Sequence, residues 1–212
     1  MTIYRRETRF VMYNQPFTWG PLLCKMQVED SVLNDLLWET KRGDEDYNAE
    51  ANLVATMHDE WLFSEETIGW FQRSITEHVE TYLQTLSYHL SRNCFCQWKL
   101  SELWINYQKA NDFNPPHDHS SDLSFVLYIQ VPEELKTEKK RYNMVNKGPD
   151  PGCILFMFGE FREPFVVPQR SFMPERGDLF IFPSTLRHMV VPFKTPDIER
   201  ISVAGNIRFA RA

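Results

Sequence analysis

Residues 111–131 read NDFNPPHDHSSDLSFVLYIQV. The second half alternates: Leu123, Phe125, Leu127, Ile129 and Val131 on one side, Ser124, Val126, Tyr128 and Gln130 on the other. That period of two marks a β-strand. His117 and His119 sit two apart just before it. On extended backbone they point the same way, so both imidazoles could hold one ion. Taken alone, the pair reads more simply as polar residues in a Pro-bounded loop.

Working outward, residues 96–108 (CQWKLSELWINYQ) alternate too, with Leu103, Ile105 and Tyr107 on one face and Trp104, Asn106 and Gln108 on the other. Trp104 and Asn106, beside the motif strand, could line the substrate cleft, although Trp104 reads first as a core residue. Further short strands are expected at CILFMF (153–158), PFVV (164–167), DLFIF (178–182), HMVVPF (188–193) and RISVAGNIRF (200–209). The charged run EELKTEKKRYNMVNKG (133–148) reads as an insertion or flexible loop. Upstream, residues 30–40 carry Val32, Leu33, Leu36 and Leu37 at helical spacing. Residues 64–91 predict one long helix, capped by Ser64, with Phe71, Ile75, Val79, Leu83, Leu86 and Leu90 as its apolar stripe. His78 and His89 fall on its surface or boundary. Helices first, then short strands punctuated by Pro and Gly, predict an α+β chain around a β-sandwich or barrel. A soft boundary near residue 93 separates a mainly helical support (1–92) from the β core (93–212), within a single domain spanning 1–212.

The 212 residues suffice for one domain with a real core. Sixteen Phe, eight Tyr and six Trp suit strands and sandwich cores. A diffuse net charge of −6 argues against non-specific nucleic-acid binding, and the Lys139-Lys140-Arg141 cluster reads as a solvated loop. No apolar run reaches the roughly 18 residues of a membrane span, and the first residues lack the apolar core of a signal peptide. Cys24, Cys94, Cys96 and Cys153 match no common zinc spacing and read as reduced thiols of a cytoplasmic protein.

The chemistry concentrates in a second motif. His188 opens a strand in GDLFIFPSTLRHMVVPF (177–193), and Arg200 begins the strand RISVAGNI (200–207). Ligands drawn from two strands of a small barrel are held stiffly. An arginine among apolar neighbours needs an acceptor, because an unpaired buried guanidinium is costly. A carboxylate ligand would supply it through a two-pronged hydrogen bond that lysine could not match. Ser202 points to the same side and can add a donor.

Together, FNPPHDHSSDLSFVLYIQVP (113–132), GDLFIFPSTLRHMVVPF and RISVAGNI resemble the iron(II)- and 2-oxoglutarate-dependent oxygenase superfamily. They are more closely similar to a group of oxygenases common in bacteriophages and marine bacteria, distantly like prolyl hydroxylases. The similarity covers roughly residues 95–210. It implies a double-stranded β-helix, or jelly roll, with helices on one side. It implies iron(II) on His117, His119 and His188, and 2-oxoglutarate with its far carboxylate on Arg200, aided by Ser202 and by Tyr128. It implies oxygen as the other cosubstrate, and hydroxylation of a C–H bond in a substrate that is by analogy a protein or peptide, in the cytoplasm, with a phage-infected host cell as one setting.

The chain departs from that pattern at one point: His119 stands where most members carry Asp or Glu. Asp122 could reach the metal only through a turn over Ser120 and Ser121. Three neutral imidazoles also suit zinc. Two other readings stay open. One is a cupin-like metalloprotein that does not use 2-oxoglutarate, for which Arg200-Ile201-Ser202 would have no purpose. The other is a non-catalytic jelly-roll binding module with incidental histidines.

Overall fold

The computed structural model describes residues 15–18, 20–49, 59–144, 148–159 and 168–210. The chain runs β1 (Gln15–Thr18), β2 (Leu22–Gln27), α1 (Asp30–Trp38), β3 (Glu60–Leu62), α2 (Glu65–Ser74), α3 (Thr76–Leu90), β4 (Trp98–Gln108), β5 (Asn114–His117) and β6 (Leu123–Gln130). Then follow α4 (Glu134–Arg141), β7 (Ile154–Met157), β8 (Gln169–Phe172), β9 (Asp178–Pro183), β10 (Arg187–Val190) and β11 (Arg200–Phe209).

Among the described residues the strands form two sheets, one of seven strands ordered β1-β2-β9-β6-β11-β4-β3 and one of four ordered β5-β10-β7-β8. Every pairing in both is antiparallel. In β4, β6 and β11 both faces are largely buried, the apolar set of the alternation on one side and a set with polar residues such as Asn106, Ser124 and Ser202 on the other. Leu103, Ile105, Leu123, Phe125, Leu127, Val203 and Ile207 join one core with Leu33, Phe71, Ile75 and Val79 of the helices. On the opposite face Val126, Tyr128, Phe180 and Phe182 pack with Ile154, Phe156 and Leu186 of the smaller sheet's side. The layers are therefore helices, large sheet, small sheet. Gly205 lets β11 and β6 lie close: a Cβ there would come 2.5 Å from the Phe125 ring and 2.7 Å from the Glu102 carbonyl.

Three expectations need correction. The helix over 64–91 is two helices broken at Ile75, which sits at φ −101°, ψ 6°. Around the break, Ser74 and Thr76 donate their hydroxyls to the Trp70 and Gln72 carbonyls, a local competition that bends helices. Ser64 does cap the first of them, accepting from the Thr67 amide at 3.2 Å. Second, the charged insertion contains α4, docked through buried Leu135 and Glu138. The Glu138 carboxylate accepts from the Lys194 and Thr195 amides and the Thr195 hydroxyl at 2.8, 2.9 and 2.6 Å. Third, the stretch before residue 93 supplies strands as well as helices: β1, β2 and β3 extend the large sheet. The strand expected at 164–167 lies outside the described residues. Also unexpected is β8, and β10 stops at Val190 rather than Phe193. His78 is half-buried, its ring Nε2 3.1 Å from the Gln27 carbonyl, and His89 is exposed. No helix among the described residues is long and apolar enough to cross a membrane.

Candidate active site

Two short strands of the small sheet bring the first histidines together. In the β5–β10 pair, His117 is the register partner of His188, and their ring centroids are 4.3 Å apart. His119 lies past the end of β5, where its amide donates to the Ser184 carbonyl at 2.9 Å. Its ring is 5.1 Å from that of His117 and 5.3 Å from that of His188. One ligand nitrogen from each falls within 4.8 Å of the others, and metal–nitrogen bonds of about 2.0–2.1 Å would draw them slightly closer.

Their chemistry suits a cation. His117 and His188 each place Nδ1 on a backbone carbonyl two residues back, Pro115 at 2.7 Å and Leu186 at 3.0 Å. A carbonyl only accepts, so the proton is on Nδ1 and the Nε2 lone pair is free for a metal. Burial, aided by the His117 charge, lowers His188 to about 3 and His119 to about 4. Both rings are therefore neutral near pH 7. Asp122 faces elsewhere: its carboxylate accepts from the Phe209 amide at 2.8 Å, closing the end of β11.

The histidines open onto a cavity between the sheets that is also lined by Trp104, Asn106, Asn114, Ser124, Arg200 and Ser202. It is narrow, about 50 Å³, so the lining must part to admit a five-carbon diacid. Arg200 is 2% exposed. Its Nη1 donates to the Gly152 carbonyl at 2.6 Å, while its Nε has no partner among the described residues. Its guanidinium carbon is 5.2 Å from the Tyr128 ring centroid, and the fully buried Tyr128 hydroxyl also lacks a partner among the described residues. Burial raises Tyr128 to about 12 and lowers Arg200, although Tyr128 opposes the latter shift. No carboxylate pairs with Arg200 among the described residues. A buried cation and a neutral hydroxyl, each with an idle donor, form a receptor for an anionic oxygen ligand.

Each sequence-derived site residue is thus in one region: His117, His119 and His188 around one point, Arg200 and Ser202 farther along the same cavity, Tyr128 against Arg200. Asn114 and Ser124 line it without having been singled out. Ser124 carried a signal, since it sits on the polar face of β6; Asn114 carried none.

A family model described as "Putative 2OG-Fe(II) oxygenase" matches residues 102–206. Those residues belong to the 2-oxoglutarate- and iron(II)-dependent oxygenases. The protein is by family an enzyme, an oxidoreductase whose cofactor is iron(II) and whose cosubstrate is 2-oxoglutarate. The three converging imidazoles, and the Arg200 and Tyr128 donors left unpaired among the described residues, fit those two groups. No curated protein matches the oxygenase in sequence. Among solved structures it is similar to the viral collagen prolyl hydroxylase of Paramecium Bursaria Chlorella virus-1 in complex with 2-oxoglutarate, at 14% identity and TM-score 0.52 over 89% of this chain and 96% of that one. A Pseudomonas putida prolyl-4-hydroxylase aligns at 15% identity and TM-score 0.50, over 89% and 93%. HygX of Streptomyces hygroscopicus, with nickel, 2-oxoglutarate and hygromycin B bound, aligns at 8% identity and TM-score 0.56, over 89% and 83%. At these identities the likeness is one of fold.

Proposed function

We propose that this oxygenase is a hydroxylase acting on a protein or peptide side chain, with His117, His119 and His188 as metal ligands and Arg200, Ser202 and Tyr128 as the 2-oxoglutarate anchor. The two antiparallel sheets are then the halves of a jelly roll, in a single domain over residues 1–212 working in the cytoplasm. Bound iron(II) supplies the oxygen chemistry, in which oxidative decarboxylation of 2-oxoglutarate to succinate and CO₂ is coupled to insertion of one oxygen atom into a substrate C–H bond. The chain's own residues hold and orient. The Nδ1 bonds of His117 and His188 fix which ring nitrogen faces the ion. Arg200 and Tyr128 donate to the distal carboxylate from a dry wall, where each hydrogen bond is strong.

One observation carries the reading: Arg200, buried with no ionic partner among the described residues, opens on the same cavity as three converging histidines. A cupin-like site has no need of that cation, and a binding module has no need of the histidines. The choice of a protein or peptide substrate rests on likeness to two prolyl hydroxylases. The test is succinate formation from 2-oxoglutarate by the parent protein with added iron(II), first alone and then with proline-rich peptides. Stimulation by such a peptide supports the substrate class. Succinate formed alone but unchanged by any peptide removes that class, and none under either condition removes the hydroxylase.

A further inference from the structure

Arg200 supplies the charge of the anchor, and its one hydrogen bond among the described residues runs from Nη1 to the Gly152 carbonyl at 2.6 Å. Several contacts set where that carbonyl stands. Gly152 is buried and sits at φ +82°, a left-handed conformation that residues with a Cβ rarely adopt. It lies against α4: a Cβ added to Gly152 would come 2.9 Å from Leu135 Cδ1, and Leu135 is itself buried. The Gly152 amide donates to the Val191 carbonyl at 3.0 Å, and the Val191 amide donates to the Cys153 carbonyl at 2.9 Å. The helix holds the same turn a second time. Lys139 Nζ donates to the Gly148 carbonyl at 2.9 Å and pairs with Asp150 at 3.0 Å. The three hydrogen bonds of buried Glu138 to Lys194 and Thr195 in turn fix the helix. The carbonyl that holds the guanidinium therefore takes its position from α4 and Val191. Neither Leu135 nor Gly152 belongs to the cavity lining, which Arg200 shares with the histidines. With one arm of the fork held, less side-chain freedom is lost when a carboxylate pairs with the idle Nε.

We propose that Gly152, backed by Leu135 of α4, is a positioning residue for the cosubstrate: its carbonyl holds the Arg200 guanidinium in the pose that receives the far carboxylate of 2-oxoglutarate. This rests on the anchor proposed above. It gives the charged insertion a task at a cavity that Leu135 does not line.

The test compares two keto acids by calorimetric titration into the anaerobic, iron(II)-loaded protein. 2-Oxoglutarate carries the far carboxylate, and 2-oxobutyrate lacks it. Leu135→Ala and Gly152→Ala are each expected to weaken 2-oxoglutarate binding about 10-fold or more, the scale of a misplaced charge-assisted hydrogen bond. Affinity for 2-oxobutyrate and for iron(II) should stay within about threefold of the parent. Leu135→Val should give a smaller loss in the same direction, and it replaces the alanine variant if that one fails to fold. Val79→Ala, a lesion in the buried face of α3, should lower the apo melting temperature and leave the preference for 2-oxoglutarate unchanged. The proposal is overturned if the Leu135 and Gly152 variants keep the parent's preference, if they lose both keto acids equally, or if Val79→Ala shifts the preference as much. Arg200→Met separates this proposal from the reading it rests on. If that variant also keeps the preference, the anchor assignment is wrong and the proposal falls with it. If it abolishes the preference while the Leu135 and Gly152 variants keep it, only the role of Gly152 is wrong.

Discussion

Replacing Arg200 by methionine separates the anchor's function from its structural role. Arg200 is 2% exposed, makes one hydrogen bond, to Gly152, and has no ionic partner among the described residues. In the ligand-free protein its charge is a liability, since a buried ion is stabilised only by a well-paired counter-ion. Methionine keeps the apolar stem and removes the charge, so the apo melting temperature should stay level or rise. Binding should respond oppositely. Truncating one partner of a buried charge pair costs about 2–5 kcal/mol, roughly 30-fold to several thousand-fold in affinity. The upper part of that range is expected, because Nε is idle in the apo site and its pairing is gained entirely on binding. Arg200→Lys should recover only part, lacking the planar fork. Calorimetric titration of 2-oxoglutarate into anaerobic iron(II)-loaded protein, beside thermal melts of the apo forms, reads both quantities. Affinity of Arg200→Met within about threefold of the parent would refute the anchor assignment. A large drop in apo stability would refute the claim that the charge is uncompensated.

His119→Ala should lose most bound iron(II) in equilibrium dialysis. Asp122→Ala should keep it and lose only the cap on the Phe209 amide, about 1–3 kcal/mol of stability in urea unfolding. Tyr128→Phe removes one idle donor, and should weaken 2-oxoglutarate binding by about 1.5–3 kcal/mol in the same calorimetric assay. Glu138→Ala strips three hydrogen bonds from the buried side of α4; about 3–5 kcal/mol should be lost, with new proteolytic cleavage inside residues 134–141.

How legible all this was in the sequence depends on where each residue's partners lie. β4, β6 and β11 were readable because one face of each packs into the helix-side core while the other turns polar residues such as Asn106, Ser124 and Ser202 to the cavity, so alternation survives. His117, His188 and Arg200 stood out as polar groups at the edges of apolar strands. The inward face of α4 was hidden because one of its two buried residues is Glu138, whose partners Lys194 and Thr195 come from a distant loop. Four-residue β8 (QRSF) and three-residue β3 (EWL) have too few residues for a period to show. The break at Ile75 leaves the apolar stripe of Phe71, Ile75, Val79 and Leu83 intact, so periodicity alone reads straight through it. The Arg200–Tyr128 contact joins two different strands, and no spacing rule encodes it.

The most direct test of the central claim is the visible absorption of the anaerobic protein with iron(II) and 2-oxoglutarate together. A ligand bound through its keto acid to iron held by His117, His119 and His188 should give a metal-to-ligand charge-transfer band. The band should be absent with either component alone, and lost in both His188→Ala and Arg200→Met. Tight 2-oxoglutarate binding that needs no metal, with no band when iron(II) is added, would contradict the account.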